Sequence, residues 1–193
     1  LLLHTAFLPI VSPAAAEQLA KNPKAGDILA RLHRDNFFTV RHAGSAPLYQ
    51  YHPLLRDFLA AQVYRLLSGE QRIALMRASA GLLEQEERIE DAVRLLQAAD
   101  DGAALSLLIK RHAKAFLDSG RHHTVSAWLE KLPQALREKD PWLLFWLGAC
   151  RFPLDATDAR EIFTQAYVGF RARSDDTGIF LAWASAVEAI LFE

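Results

Sequence analysis

Two patterns of hydrophobic and polar positions divide this chain. From Glu70 onward apolar residues fall at i, i+3 and i+7, usually with i+4 as well, in seven successive segments. They are Ile73/Met76/Ala80, Ile89/Ala92/Val93/Leu96, Leu105/Leu108/Ile109/His112, Val125/Trp128/Leu129/Leu132, Trp142/Phe145/Trp146/Ala149, Ala159/Ile162/Phe163/Ala166 and Ile179/Ala182/Trp183/Ala186. Side chains at those spacings share one face of a helix, so each segment predicts an amphipathic α-helix. Before Glu70 the pattern is mixed and punctuated. Pro9, Pro13, Pro23, Pro47 and Pro53 crowd the first part, and the next proline is Pro133. A short helix is expected after Ser12-Pro13, because serine caps a helix and proline suits its first turn. A second is expected over about 26–35, with Ile28, Leu29 and Leu32 as its inner face. Phe37-Phe38-Thr39-Val40 is aromatic and β-branched and reads as a strand. Residues 42–47, with Gly44 and Ser45, read as a turn, and Leu48–Tyr51 as the returning strand. A further helix opens at His52-Pro53 with no loop before it, its apolar side set by Leu55, Phe58, Leu59 and Leu66.

The helical segments repeat. Starting residues two segments apart (73 and 105, 89 and 125, 105 and 142, 125 and 159, 142 and 179) are separated by 32 to 37 residues. A period near 35 is that of helix pairs of the tetratricopeptide type, which bury their apolar faces on their neighbours and stack as an α-solenoid. Gly69, Gly102, Gly120 and Gly178 are expected in the turns between segments. Leu147-Gly148, followed by Ala159, Phe163 and Ala166, resembles the tetratricopeptide consensus, one residue short in the gap and with Arg151 where tyrosine is usual. The predicted fold is therefore mainly α: a small winged-helix unit over 1–68 (helix, helix, strand, turn, strand, helix), then a tetratricopeptide-like superhelix over 69–193. The chain starts without methionine and ends inside an apolar helical pattern at 190–193, so it is expected to be a piece of a longer protein whose superhelix continues.

Composition narrows the function classes. Of 193 residues, 51% are hydrophobic and 23% charged, an ordinary globular balance. A formal charge of −1 supplies no global attraction to nucleic acid or anionic membrane. The single cysteine, Cys150, excludes a disulfide framework and fits a cytoplasmic location. Residues 1–11 are apolar but lack a basic leader and are interrupted by His4 and Pro9, so neither a signal peptide nor a membrane span is expected.

Catalytic and metal templates are absent. The sequence holds no G-x-x-x-x-G-K-[ST] loop, G-x-G-x-x-G, H-E-x-x-H or C-x-x-C. His122-His123 with His112 lacks a carboxylate or thiol at ligand spacing, so no metal is expected. Glu84, Glu86, Glu87, Glu90 and Asp91 read as a solvated face, and Cys150 as a small buried hydrophobe rather than a nucleophile. No enzyme is read from this chain. Arg31, Arg34 and Arg41 are offset by Asp27 and Asp35, so direct DNA contact is not expected either. The most informative position is His52, at a strand-to-helix corner beside free backbone N–H groups. Either it meets something anionic there, or it simply caps the corner. Trp128, Trp146 and Trp183 carry a comparable ambiguity: helix-to-helix core, or the lining of a groove that stacks on an effector.

One family accounts for several of these motifs together. Leu2-Leu3-x-Thr5-Ala6-Phe7-Leu8-Pro9, Asn36-x-Phe38 and Tyr49-x-Tyr51-His52-Pro53-Leu54-Leu55-Arg56-x-Phe58-Leu59 resemble the end of the nucleotide-binding module in STAND-type bacterial regulators. These are the MalT-like, LuxR-family transcriptional activators. Glu90-Asp91-Ala92-Val93-x-x-Leu96 and Gly120-Arg121-x-x-x-Val125-x-x-Trp128-Leu129-x-x-Leu132-Pro133 are similar to the helical region of that family. The resemblance implies a parent with an ATP-binding domain before Leu1 and a DNA-reading domain beyond Glu193, so this chain itself would hold no cofactor and would touch DNA only through that absent domain. It implies a winged helix that clamps bound ADP against the neighbouring nucleotide-binding domain, a superhelix that senses a small-molecule or protein effector, and self-association when ATP and effector open the molecule. Carried over, the phosphate-sensing role falls to His52. Gln50-Tyr51 departs from the basic residue and phenylalanine common in the family, which removes one positive charge near the phosphate. The competing expectation is a helical-repeat adaptor that binds protein partners with no nucleotide switch.

Overall fold

The computed structural model describes residues 1–44 and 46–192; Ser45, assigned above to the turn, and Glu193, assigned to the last helical pattern, lie outside the described residues. The chain divides into two compact units, Leu1–Asp101 and Gly102–Glu193. The change of sequence pattern at 68/69 falls inside the first.

In the first unit, α1 (Pro13–Ala20) begins where Ser12 Oγ accepts the Ala15 amide at 3.1 Å, with Pro13 in the first turn. Helix α2 (Ala25–Arg34) buries Ala25 and Leu29, while Ile28, expected on the inner face, stays 36% exposed. Strands β1 (Thr39–His42) and β2 (Leu48–Tyr51) pair antiparallel, Thr39 opposite Tyr51 and His42 opposite Leu48. Val11 adds one rung, exchanging both backbone hydrogen bonds with Tyr49. Helix α3 (Pro53–Leu66) follows directly. Helices, hairpin and α3 make the winged-helix arrangement.

Three expectations are corrected here. The strand starts at Thr39, not Phe37, because the ladder ends where Tyr51 ends its partner, and His42 belongs to it rather than to the turn. Asn36 and Phe38 instead take left-handed backbone, φ +54° and +44°. Helix α3 buries Leu59 and Val63, whereas Phe58 and Leu66 face solvent. The unit then continues with α4 (Gly69–Gln85), opened by a reciprocal Ser68–Gln71 capping box, and α5 (Ile89–Ala98), which packs on α4 with Ile89, Ala92, Val93 and Leu96 buried.

The tyrosine at position 51 has a local cause. Its hydroxyl is buried and lies 2.8 Å from Thr5 Oγ1, itself fully buried and 3.3 Å from the Leu1 carbonyl. Tyr51 donating to Thr5, and Thr5 to the carbonyl, satisfies both groups, and burial raises the Tyr51 phenol pKa above its usual value. The two partners are therefore not equivalent. Thr5→Val should cost about 1–3 kcal/mol by leaving a buried phenol unpaired, while Tyr51→Phe should cost about 1 kcal/mol or less because Thr5 keeps its carbonyl. Urea denaturation of the two variants and their combination checks this: the double variant should be more stable than Thr5→Val alone.

The second unit consists of α6 (Gly102–Asp118), α7 (His122–Glu130), α8 (Gln134–Lys139), α9 (Pro141–Arg151), α10 (Ala156–Arg173) and α11 (Asp176–Ile190). Helix α6 packs on α7 and α9, α7 on α9, α9 on α10, and α10 on α11. All seven apolar stripes are thus helices, as the repeat requires. The short polar α8 carries no buried residue and no stripe to predict it. Leu144, Phe145, Phe163, Ala166, Phe170 and Ala182 form the core of α9–α11. Gly148 belongs to that packing: a Cβ there would lie 2.7 Å from the Phe163 ring. Gly178, placed in a turn by the sequence, instead sits inside the first turn of α11 with its Cα against the ring of Phe170.

Candidate functional site

The corner at His52 is built by three constraints. The ladder ends at the Thr39–Tyr51 pair, where Phe38 before Thr39 takes left-handed backbone and Pro53 follows two residues after Tyr51. Proline at 53 keeps the preceding residue out of the helical region, and His52 accordingly has φ −54° and ψ 140°. Pro53 then starts α3 without an N–H to satisfy. The first free amide, that of Leu54, donates to His52 Nδ1 at 3.3 Å. An imidazole that accepts at Nδ1 carries its proton on Nε2, and His52 is exposed. The first turn of α3 contains no acidic residue, and its fourth residue is Arg56. A helix N-terminus with an imidazole at its cap and no carboxylate in its first turn is suited to an anion, although Asp57 follows as the fifth residue.

Around this corner the surface is apolar. Phe37, Phe38 and Val40 before and within β1, and Leu54 and Phe58 on α3, are all more than half exposed. The Phe38 ring meets the imidazole at 5.9 Å between centroids and 64° between planes, and the Phe38 carbonyl accepts the His52 amide at 2.7 Å. Phe38 as a neighbour of His52 was not legible in the sequence; Asn36, a residue that tolerates left-handed backbone, was the one signal that the chain turns there. Gln50, which stands where a basic residue is common, pairs across the hairpin with His42, Oε1 to Nε2 at 2.8 Å.

The three tryptophans are not brought together: no ring contact joins Trp128, Trp146 and Trp183 among the described residues. Trp128 is 7% exposed and packs edge-on to Phe116, so it is core. Trp146 is half-buried beside Trp142 and Phe145, and its indole N–H is sealed from solvent with no partner among the described residues. Trp183 is 54% exposed and lies near Phe180, also exposed, on the outer side of α11. The tryptophan with a polar role is Trp142, whose indole N–H donates to Asp175 Oδ2 at 2.9 Å. Its signal in the sequence was only a place on the stripe.

Two clefts lie away from these residues. One of about 500 Å³ in the first unit is lined by His4, Gln18, Lys21, Leu67, Gln71 and Leu75 among others, and one of about 380 Å³ in the second by Phe152, Pro153, Leu154, Ala156 and Phe192. Cys150 is buried, and burial pushes its thiol up to about 12, far from a reactive thiolate. Among the described residues no three His, Cys, Asp or Glu side chains are grouped to hold a metal, and no helix is long and apolar enough to cross a membrane.

Residues 1–71 match the family model of the MalT winged helix domain. The match spans α1 to α3 and the hairpin, with His52 inside it, and supports a fragment of a MalT-like regulator. No curated protein and no solved structure matches the chain.

Proposed function

We propose that this chain is the regulatory segment of a STAND-type, LuxR-family transcriptional activator in the cytoplasm. In this reading its winged helix closes on nucleotide held by a neighbouring domain, and its helical repeats sense an effector. One observation carries it: within the stretch that matches the MalT winged helix, exposed His52 caps α3 through Nδ1, which leaves Nε2–H as its remaining donor. That donor, beside a first turn of α3 free of carboxylates, fits the phosphates of ADP. The nucleotide supplies the charge; this chain contributes the donor, the helix end and an apolar rim. Phe37, Phe38, Val40, Leu54 and Phe58 then form the face that a nucleotide-binding domain of the same protein covers, since exposed apolar surface of this extent marks contact sites.

The chain is non-catalytic alone. ATP or ADP belongs to the parent protein, and DNA is met only through another domain. The exposed Phe180 and Trp183 on α11 support an interaction role for the repeats, as the effector surface or in self-association. That same exposure favours the adaptor as the alternative reading.

The test replaces His52 with alanine in the full-length protein and follows ADP release. Loss of one hydrogen bond to a charged group should weaken ADP retention by about tenfold or more and raise basal activity. Unchanged release and unchanged basal activity would remove the clamp, leaving the adaptor.

A further inference from the structure

We propose that Phe38 is a positioning residue for His52, holding the imidazole so that Nε2–H is its remaining donor; the role rests on the nucleotide reading above. The case begins with backbone. Phe38 takes φ +44°, two residues after Asn36 at +54°. For an aromatic side chain that conformation crowds Cβ against its own carbonyl and is a genuine outlier. Burial does not explain it, because the Phe38 side chain is 60% exposed.

What the conformation does is bring two parts of Phe38 to His52. The carbonyl accepts the His52 amide at 2.7 Å, and the ring stands against the imidazole at 5.9 Å. The preceding peptide is pinned in turn, the Thr39 hydroxyl donating to the Phe37 carbonyl at 2.8 Å. On its other side the imidazole is fixed by the Leu54 amide at Nδ1. Backbone strain retained for the sake of one neighbouring side chain is the mark of a functional position.

Glycine separates the two roles Phe38 could have. It adopts positive φ freely, so Phe38→Gly relieves the strain while removing the ring. In this chain, Phe38→Gly should leave the urea midpoint unchanged or raised, and should abolish the ring-current shift that NMR records on the His52 ring protons; Phe38→Tyr should preserve that shift. In the full-length regulator, Phe38→Gly should speed ADP release roughly five- to tenfold, and should add nothing in a His52→Ala background, because both act through one contact. A clear drop in the midpoint with unmoved His52 shifts overturns the proposal, as does acceleration of release that adds fully to that of His52→Ala. If His52→Ala itself leaves release unchanged, the nucleotide reading fails by that result. The positioning role is then decided by the NMR arm: unmoved His52 shifts in Phe38→Gly overturn it, and a lost shift upholds it.

Discussion

Alanine at position 178 should destabilise the second unit, whereas alanine at Gly81, on α4 of the first unit, should not destabilise that one. Gly178 opens α11 on the face turned to α10, and a Cβ there would overlap the ring of Phe170. That ring has nowhere to go: it is fully buried, with Trp142 edge-on at 4.9 Å. Overpacking of a closed site costs about 1–3 kcal/mol and occasionally more. The enclosure of Phe170 puts Gly178→Ala at the upper end of that range, about 3 kcal/mol. The contrast is Gly81, in the middle of α4, where a Cβ would meet nothing within 4 Å. Gly81→Ala should stabilise by about 0.5–1 kcal/mol, through the helix preference for alanine. Urea unfolding followed by circular dichroism measures both. Phe170→Leu in the Gly178→Ala background should recover part of the loss by making room; no recovery, or no loss to begin with, would mean that α10 and α11 do not pack through these two residues.

Asp175→Ala should be of comparable cost, because one carboxylate serves two helices. Its Oδ1 accepts the Gly178 amide at 2.9 Å and caps α11, while its Oδ2 accepts the indole N–H of Trp142 on α9. Loss of a cap costs about 1 kcal/mol, and a part-buried indole N–H left without its acceptor about 1–3 kcal/mol, so about 2–4 kcal/mol in all. Asp175→Ser keeps a capping oxygen but is too short for the indole, and should fall between wild type and Asp175→Ala. The Trp142 indole proton, followed by NMR, should move in both variants. If serine proves as damaging as alanine, the cap contributes nothing and the indole bond alone matters.

Much of the helical region was legible because helical periodicity is a local property. Seven stripes of i, i+3 and i+7 became seven helices, and four of them open on side-chain caps of a type recognisable in the sequence (Ser68, Asp140, Asp155 and Asp175). The failures have physical reasons. Phe37-Phe38 has strand propensity, but a ladder extends only as far as its partner, and β2 ends at Tyr51. Helix α3 is apolar on more than one side, so periodicity could not choose between Phe58 and Val63 as the inward residue; packing chose Val63. Helix α8 buries nothing, and a helix without an apolar face leaves no periodic trace. At the site, His52 and its cap followed from the proline after it. Phe38 did not, because its approach to the imidazole depends on two left-handed residues and a strand register. The tryptophans needed three-dimensional placement altogether: two members of apolar stripes end as core at Trp128 and as surface at Trp183.

The hydrogen bond between Tyr51 and Thr5 lies one residue before His52 in the chain. Tyr51 is held on one side by Thr39 in the ladder and on the other by Thr5, and the peptide after it carries the imidazole and leads straight into α3. No loop lies between them to take up slack. Thr5 is therefore one buried hydrogen bond and one peptide link away from the residue that caps α3.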